Sequence, residues 1–325
     1  MPDLHPEAAE FLEGLDAQPA PPTYASSPAT AREALLTLAR DQEPDEVETT
    51  TEFGIEGPAG ELPLRAYVPE GPGPHPTLVY YHGGGWVIGE PVVTETVCTA
   101  LCNRAGVVVL APDYRKAPGH PFPAAVEDAF ATLEWAGAHA DSVGGDPDRL
   151  AVGGDSAGGN LSAAMSLYTR DHGGPDIDHQ SLIYPAVASP AIHEFDSYEE
   201  NAEGYFLERD SMDWFYDHYV DSPAHARNAY LAPLLADDHA GLPPASVVTA
   251  GFDPLRDEGF EYAEVLEKWV GEVEAKYEEL GDADAVEDHF AEQAELAEVW
   301  GERKASEEAR LNVRGVVTSL DRREE

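Results

Sequence analysis

Apolar residues recur along this chain in two rhythms. Helical spacing marks Ala8 to Leu15 and Ala31 to Leu38, two segments separated by the proline-rich PAPPTYASSPAT. Next, VETTTEFGIEG and LPLRAYV flank the turn residues Gly57, Pro58, Ala59 and Gly60, which predicts a hairpin. Beyond it the pattern changes to short continuous runs: TLVYY (77–81), VVVLAP (107–112), LAVGG (150–154), SLIYP (181–185) and SVVTAG (246–251). Runs of this kind are strands buried on both faces, and the helix-length segments between them are parallel crossovers. The expected class is α/β, one domain over 1–325 with a mostly parallel central sheet flanked by helices. The aromatic-rich stretch 188–228 interrupts the alternation between two strand candidates and reads as an inserted lid. No repeat, glycine-serine linker or low-complexity run divides the chain.

Composition narrows the partners. The formal charge is −44, from 63 acidic against 19 basic residues, and only Lys116, Lys268, Lys276 and Lys304 are lysines. Nucleic acid and anionic membrane would both be repelled. The carboxylates run through the whole sequence, so the charge belongs to the folded surface, and self-repulsion on this scale needs salt to quench it. The expectation is a salt-adapted protein from a halophile. An N-terminus without basic and apolar signal regions, and no apolar run of membrane length, predict a soluble cytoplasmic protein. Cys98 and Cys102, four apart in a predicted helix, read as a reduced buried pair.

The strongest chemical signal is RLAVGGDSAGGNLSAAMSL, 149–167. An apolar strand runs into Gly154-Asp155-Ser156-Ala157-Gly158 and a small-residue helix follows, the context that a G-x-S-x-G nucleophile elbow requires. There the helix dipole and the Ala157 amide favour developing negative charge near Ser156. A glycine-rich turn with an incidental serine is the alternative for that motif alone. Tyr81-His82-Gly83-Gly84-Gly85-Trp86, directly after TLVYY, weighs against it, because successive glycines can turn backbone amides toward an oxyanion. No P-loop, dinucleotide-binding glycine pattern, HExxH or zinc-spaced Cys/His cluster is present. Paired carboxylates carry no information in so acidic a chain.

With these motifs the chain resembles the hormone-sensitive-lipase family of α/β-hydrolases, carboxylesterases marked by HGGG and GDSAGG. DYRKAPGHPFPAAVEDA (113–129), apart from Lys116 and Gly119, is similar to a family loop, as are GDPDRLAVGGDSAGGNL (145–161) and GFDPLRDEG (251–259). The resemblance covers about 45 to 262. It implies the α/β-hydrolase fold, with Ser156 as nucleophile, Asp253 as the acid that orients a histidine, and the amides of Gly83, Gly84 and Ala157 as the oxyanion hole. It makes His82, His120 and Asp257 structural. It also implies a helical cap from about 1–45 and 188–228. Tyr205, Phe206, Trp214 and Phe215 would line or cover the acyl pocket, or else form an ordinary packing face. No cofactor is implied. The implied partner is a small ester of short or medium chain, and nothing fixes an oligomeric state.

The order Ser, Asp, His demands a histidine after Asp253. VEAKYEE (273–279) is the candidate last strand, but no HGF follows it, and 263–325 diverges from the family. His289 in DHF is the one histidine left, 36 residues after Asp253. It is the candidate general base. The competing reading is a solvated helix face, since Phe290, Ala294 and Ala297 stand at helical spacing. Three readings remain open: a working esterase completed by His289, a damaged hydrolase, or a pocket that binds a small molecule without turnover, as the plant gibberellin receptors of that family do.

Overall fold

A computed structural model describes residues 6–17, 21–40 and 42–280. The helices are α1 (Pro6–Asp16), α2 (Pro28–Ala39), α3 (Glu95–Ala105), α4 (Ala124–His139), α5 (Ala157–His172), α6 (Asp196–Glu200), α7 (Arg209–Tyr219) and α8 (Arg256–Leu280). Strands β1 (Thr49–Gly57), β2 (Gly60–Val68), β3 (His75–Tyr81), β4 (Val108–Pro112), β5 (Gly145–Asp155), β6 (His179–Ile183) and β7 (Ala245–Val248) form one sheet in the order β1-β2-β4-β3-β5-β6-β7. The β1–β2 hairpin closes at Gly57 and Gly60, and β2 lies antiparallel to β4. From β4 to β7 every pairing is parallel.

Alternation along the central strands explains why they are apolar throughout. Val79 and Tyr81 of β3, with Leu110 and Val152, pack against α4 and α5 through Ala129, Leu133, Leu161 and Met165. Leu78 and Tyr80 point the other way, to Cys98 and Cys102 of α3. Both cysteines are free and buried. At the far edge Leu182 of β6 meets Tyr262 and Leu266 of α8.

VEAKYEE corrects one expectation: 273–279 lies inside α8 and is no strand. Glu, Ala and Lys are good helix formers, and no proline interrupts the chain between Arg256 and Leu280. Between β6 and β7, the stretch expected as a lid is helical in part, carrying α6 and α7. It is not detached. The Trp86 ring stacks on Tyr219 of α7 at 4.5 Å and meets Tyr216 edge-on at 5.5 Å, so α7 is seated on the body. No helix among the described residues is long and apolar enough to cross a membrane.

Candidate active site

The turn from β5 into α5 puts Ser156 at the helix N-cap with φ 53° and ψ −115°, a left-handed conformation that side chains rarely adopt. The flanking glycines make room for it. A Cβ on Gly158 would lie 1.8 Å from the Tyr81 carbonyl oxygen, and one on Gly154 would lie 2.4 Å from the same atom. Backbone bonds pin the turn: Ser156 N–H donates to Ile183 O (2.9 Å), and Ser156 O accepts from Asn160 N–H (2.9 Å) and Ala186 N–H (3.2 Å).

Opposite the elbow, β3 ends in the glycine loop. His82 is buried there, stacked on Tyr114 at 4.2 Å, with Nδ1 2.7 Å from the Gly83 carbonyl oxygen. Burial pushes its pKa down to about 3, so the ring is neutral and serves as a strut. Tyr114 Oη–H donates to His82 O (2.7 Å) and fixes the same turn. His120 lies exposed on its own loop.

Of the three amides expected to form an oxyanion hole, Gly83 N–H already donates to Asp155 Oδ1 at 3.0 Å. Gly84 N–H and Ala157 N–H donate to no group among the described residues. Asp155 also accepts from Tyr80 Oη–H (3.0 Å), and burial raises its pKa. This carboxylate ties the glycine loop to the elbow. Sequence reasoning overlooked it although it sits inside the G-D-S-A-G run, because the motif draws attention only to its serine.

Asp253 lies between β7 and α8. Its Oδ1 accepts from Leu255 N–H (2.9 Å), and its main-chain oxygen accepts from Arg256 N–H (3.1 Å) and Asn201 Nδ2–H (3.0 Å). Burial pushes its pKa up to about 6. Asp257 accepts from Ser197 N–H (2.9 Å) and pairs with Arg256 (2.7 Å), a structural tie between α6 and α8. The Asn201 and Ser197 contacts had no signal in the sequence, since a lone Asn or Ser predicts no partner.

Ser156, Asp253, Gly83, Gly84 and Ala157 all line one cavity of about 490 Å³. Its walls are mostly apolar. Ala31, Leu35 and Leu38 come from α2, Phe206 and Leu207 from the loop before α7, and Met212 and Phe215 from α7 itself. Phe206 and Phe215 therefore line the cavity. Tyr205 and Trp214 are not part of that lining but back it, Tyr205 packing on the lining residue Phe252 and Trp214 on Phe215 and His218. His289 lies outside the described residues, and among those residues no histidine lines the cavity. Nor do three or more His, Cys, Asp or Glu side chains among them gather to hold a metal ion. A strained serine, free amides and a half-buried carboxylate on one apolar cavity are the parts needed for acyl transfer, a base excepted.

Residues 78–281 match the model of a family described as alpha/beta hydrolase fold. The carboxylic ester hydrolase LipN of Mycobacterium tuberculosis is 46% identical over 233 residues, 70% of this chain and 61% of that protein. Carboxylesterase NlhH of the same organism is 43% identical, with 63% of this chain and 65% of that protein covered. This chain thus spans less than two thirds of the length of either relative. Among solved structures, the ester-hydrolase EH1AB1 from the metagenome of Lake Arreo, complexed with a bipyridine phosphonate derivative, superposes with a TM-score of 0.79. It is 43% identical, and 82% of this chain and 86% of that one are covered.

Proposed function

The chain belongs to the α/β-hydrolase fold family, and from that premise we propose that it is a serine carboxylesterase acting on short-to-medium acyl esters through an acyl-enzyme intermediate. The observation that carries this reading is the strained Ser156 facing an apolar cavity that also holds Asp253 and the acceptor-free amides of Gly84 and Ala157.

In the proposed mechanism Ser156 Oγ attacks the ester carbonyl while His289 takes its proton. The oxyanion forms against Gly84 N–H and Ala157 N–H at the positive end of α5, with Gly83 fixing the loop through Asp155. His289 then protonates the leaving alcohol, and water releases the acyl group by the same route. Asp253 holds the imidazole. With a pKa of about 6 it is ionised at neutral pH, as that task requires. Helices within 1–45 and 188–228 act as the cap, a role supported by the cavity-lining residues of α2 and α7. No cofactor takes part.

The charge of −44 supports a salt-adapted protein, and two free buried cysteines support a cytoplasmic one. The relatives' names, as ester hydrolases, support a small ester as partner. A second reading has one observation in its favour, the lack of an HGF motif anywhere after Asp253 in the sequence. On that reading the site binds an ester-sized molecule without turnover.

Hydrolysis of p-nitrophenyl acetate and butyrate in multimolar KCl separates the two. The parent should turn over, and Ser156→Ala and His289→Ala should each lower kcat by about 10⁴ or more while circular dichroism stays unchanged. A folded but inactive parent supports the binding reading. Full activity in Ser156→Ala would refute the mechanism.

A further inference from the structure

Three non-glycine residues among those described have left-handed backbone, Trp86 (φ 59°), Ser156 (φ 53°) and Tyr184 (φ 34°), and all three line the same cavity. Such conformations cost about 1–3 kcal/mol each and persist only where the surroundings over-determine them. The elbow accounts for Ser156, and Trp86 closes the glycine loop under α7. Tyr184 is left without a role.

Its surroundings hold it firmly. Tyr184 N–H donates to Val248 O (2.5 Å), and the residues on either side are bonded to the backbone of the proposed nucleophile, Ile183 O to Ser156 N–H (2.9 Å) and Ala186 N–H to Ser156 O (3.2 Å). Ser156 and Tyr184 are therefore fixed to one another as a unit. Burial and the neighbouring carboxylates of Asp155 and Asp253 push the phenol's pKa up, so the ring feels both acids. An imidazole oriented by Asp253 must hand its proton to the leaving oxygen, which puts the alcohol half of an ester on the Asp253 side of the cavity. Two other bulky lining groups are more exposed and free to turn aside, Leu38 at 37% and Phe206 at 62%.

We propose that Tyr184 is a specificity-determining residue, its ring forming an immovable wall on the alcohol side of the cavity that admits slender alcohols and rejects branched ones. This rests on the ester-hydrolase reading above. The hydroxyl is not required for it.

The test is kcat/KM for ethyl acetate, isopropyl acetate and ethyl isobutyrate with the parent, Tyr184→Ala, Tyr184→Leu and Tyr184→Phe. The isopropyl-to-ethyl ratio should rise about tenfold or more in the Ala and Leu variants and stay within about twofold of the parent in the Phe variant. The isobutyrate-to-acetate ratio, which reports the acyl half, should hardly move. A merely structural role would lower every ester by a common factor and leave the ratios alone. The proposal fails if the alcohol ratio is unmoved in an active Ala or Leu variant, or if the acyl ratio shifts instead. Should Tyr184→Ala fail to fold, the Leu variant decides. An inactive parent would refute the hydrolase reading itself and this inference with it, whereas an active parent with unmoved ratios refutes only the role of Tyr184.

Discussion

At the scale of single residues, the site is held together by charges that the fold would be more stable without. Asp253 is half-buried, and its partial removal from water lets the carboxyl keep its proton up to about pH 6, while a free aspartate releases it near pH 4. Between those values the folded state binds more protons than the unfolded one. Stability therefore falls as pH rises from about 4 to about 6, and the full penalty, on the order of 2–3 kcal/mol, is present at neutral pH. Asp253→Asn keeps an oxygen for Leu255 N–H but loses the charge. It should unfold at higher urea concentration than the parent at pH 7, converge with it near pH 4, and lose most of the proposed esterase activity, a trade of stability for function. An Asn variant no more stable at pH 7 than at pH 4, relative to the parent, would contradict this. The candidacy of Ser156 was legible in the G-x-S-x-G turn, which carries its own mechanism, and that of Asp253 only through the family resemblance. Tyr184 and Asn201 were not, since backbone strain and loop-to-loop hydrogen bonds leave no local pattern.

At the scale of elements, the elbow depends on how closely β3 and α5 approach. The 1.8 Å between a Cβ on Gly158 and the Tyr81 carbonyl oxygen involves backbone on both sides, so no side chain can swing away to relieve it. Gly158→Ala should lower stability in urea by about 3 kcal/mol and reduce kcat together, because the strand end that starts the glycine loop is what must shift. A fully active and equally stable variant would mean that α5 can slide. Strands β3, β4 and β5 were readable from their apolar runs, which burial on both faces demands. VEAKYEE was misread for the complementary reason: seven residues of mixed polarity fit a strand or a helix, and only continuity with α8 decides between them. The seating of α7 on the body was equally hidden, since the aromatic run in 205–219 does not say that Tyr216 and Tyr219 face Trp86 rather than solvent.

At the scale of the whole molecule, 63 acidic residues against 19 basic ones make self-repulsion the dominant long-range force. The thermal midpoint should climb steadily from low to multimolar KCl as the Debye length shrinks to about 3 Å at 1 M, and a flat midpoint would contradict salt adaptation. The central claim, that Ser156 is a nucleophile that forms an acyl enzyme, has a more direct test. Incubation of the full chain with a fluorophosphonate in multimolar KCl, followed by peptide mass spectrometry, asks whether that serine is activated. A single covalent adduct on the peptide carrying Ser156, formed in step with loss of p-nitrophenyl butyrate hydrolysis and absent from Ser156→Ala, is the predicted result. Hydrolysis that persists with Ser156 unlabelled, or labelling that maps to another residue, would contradict it.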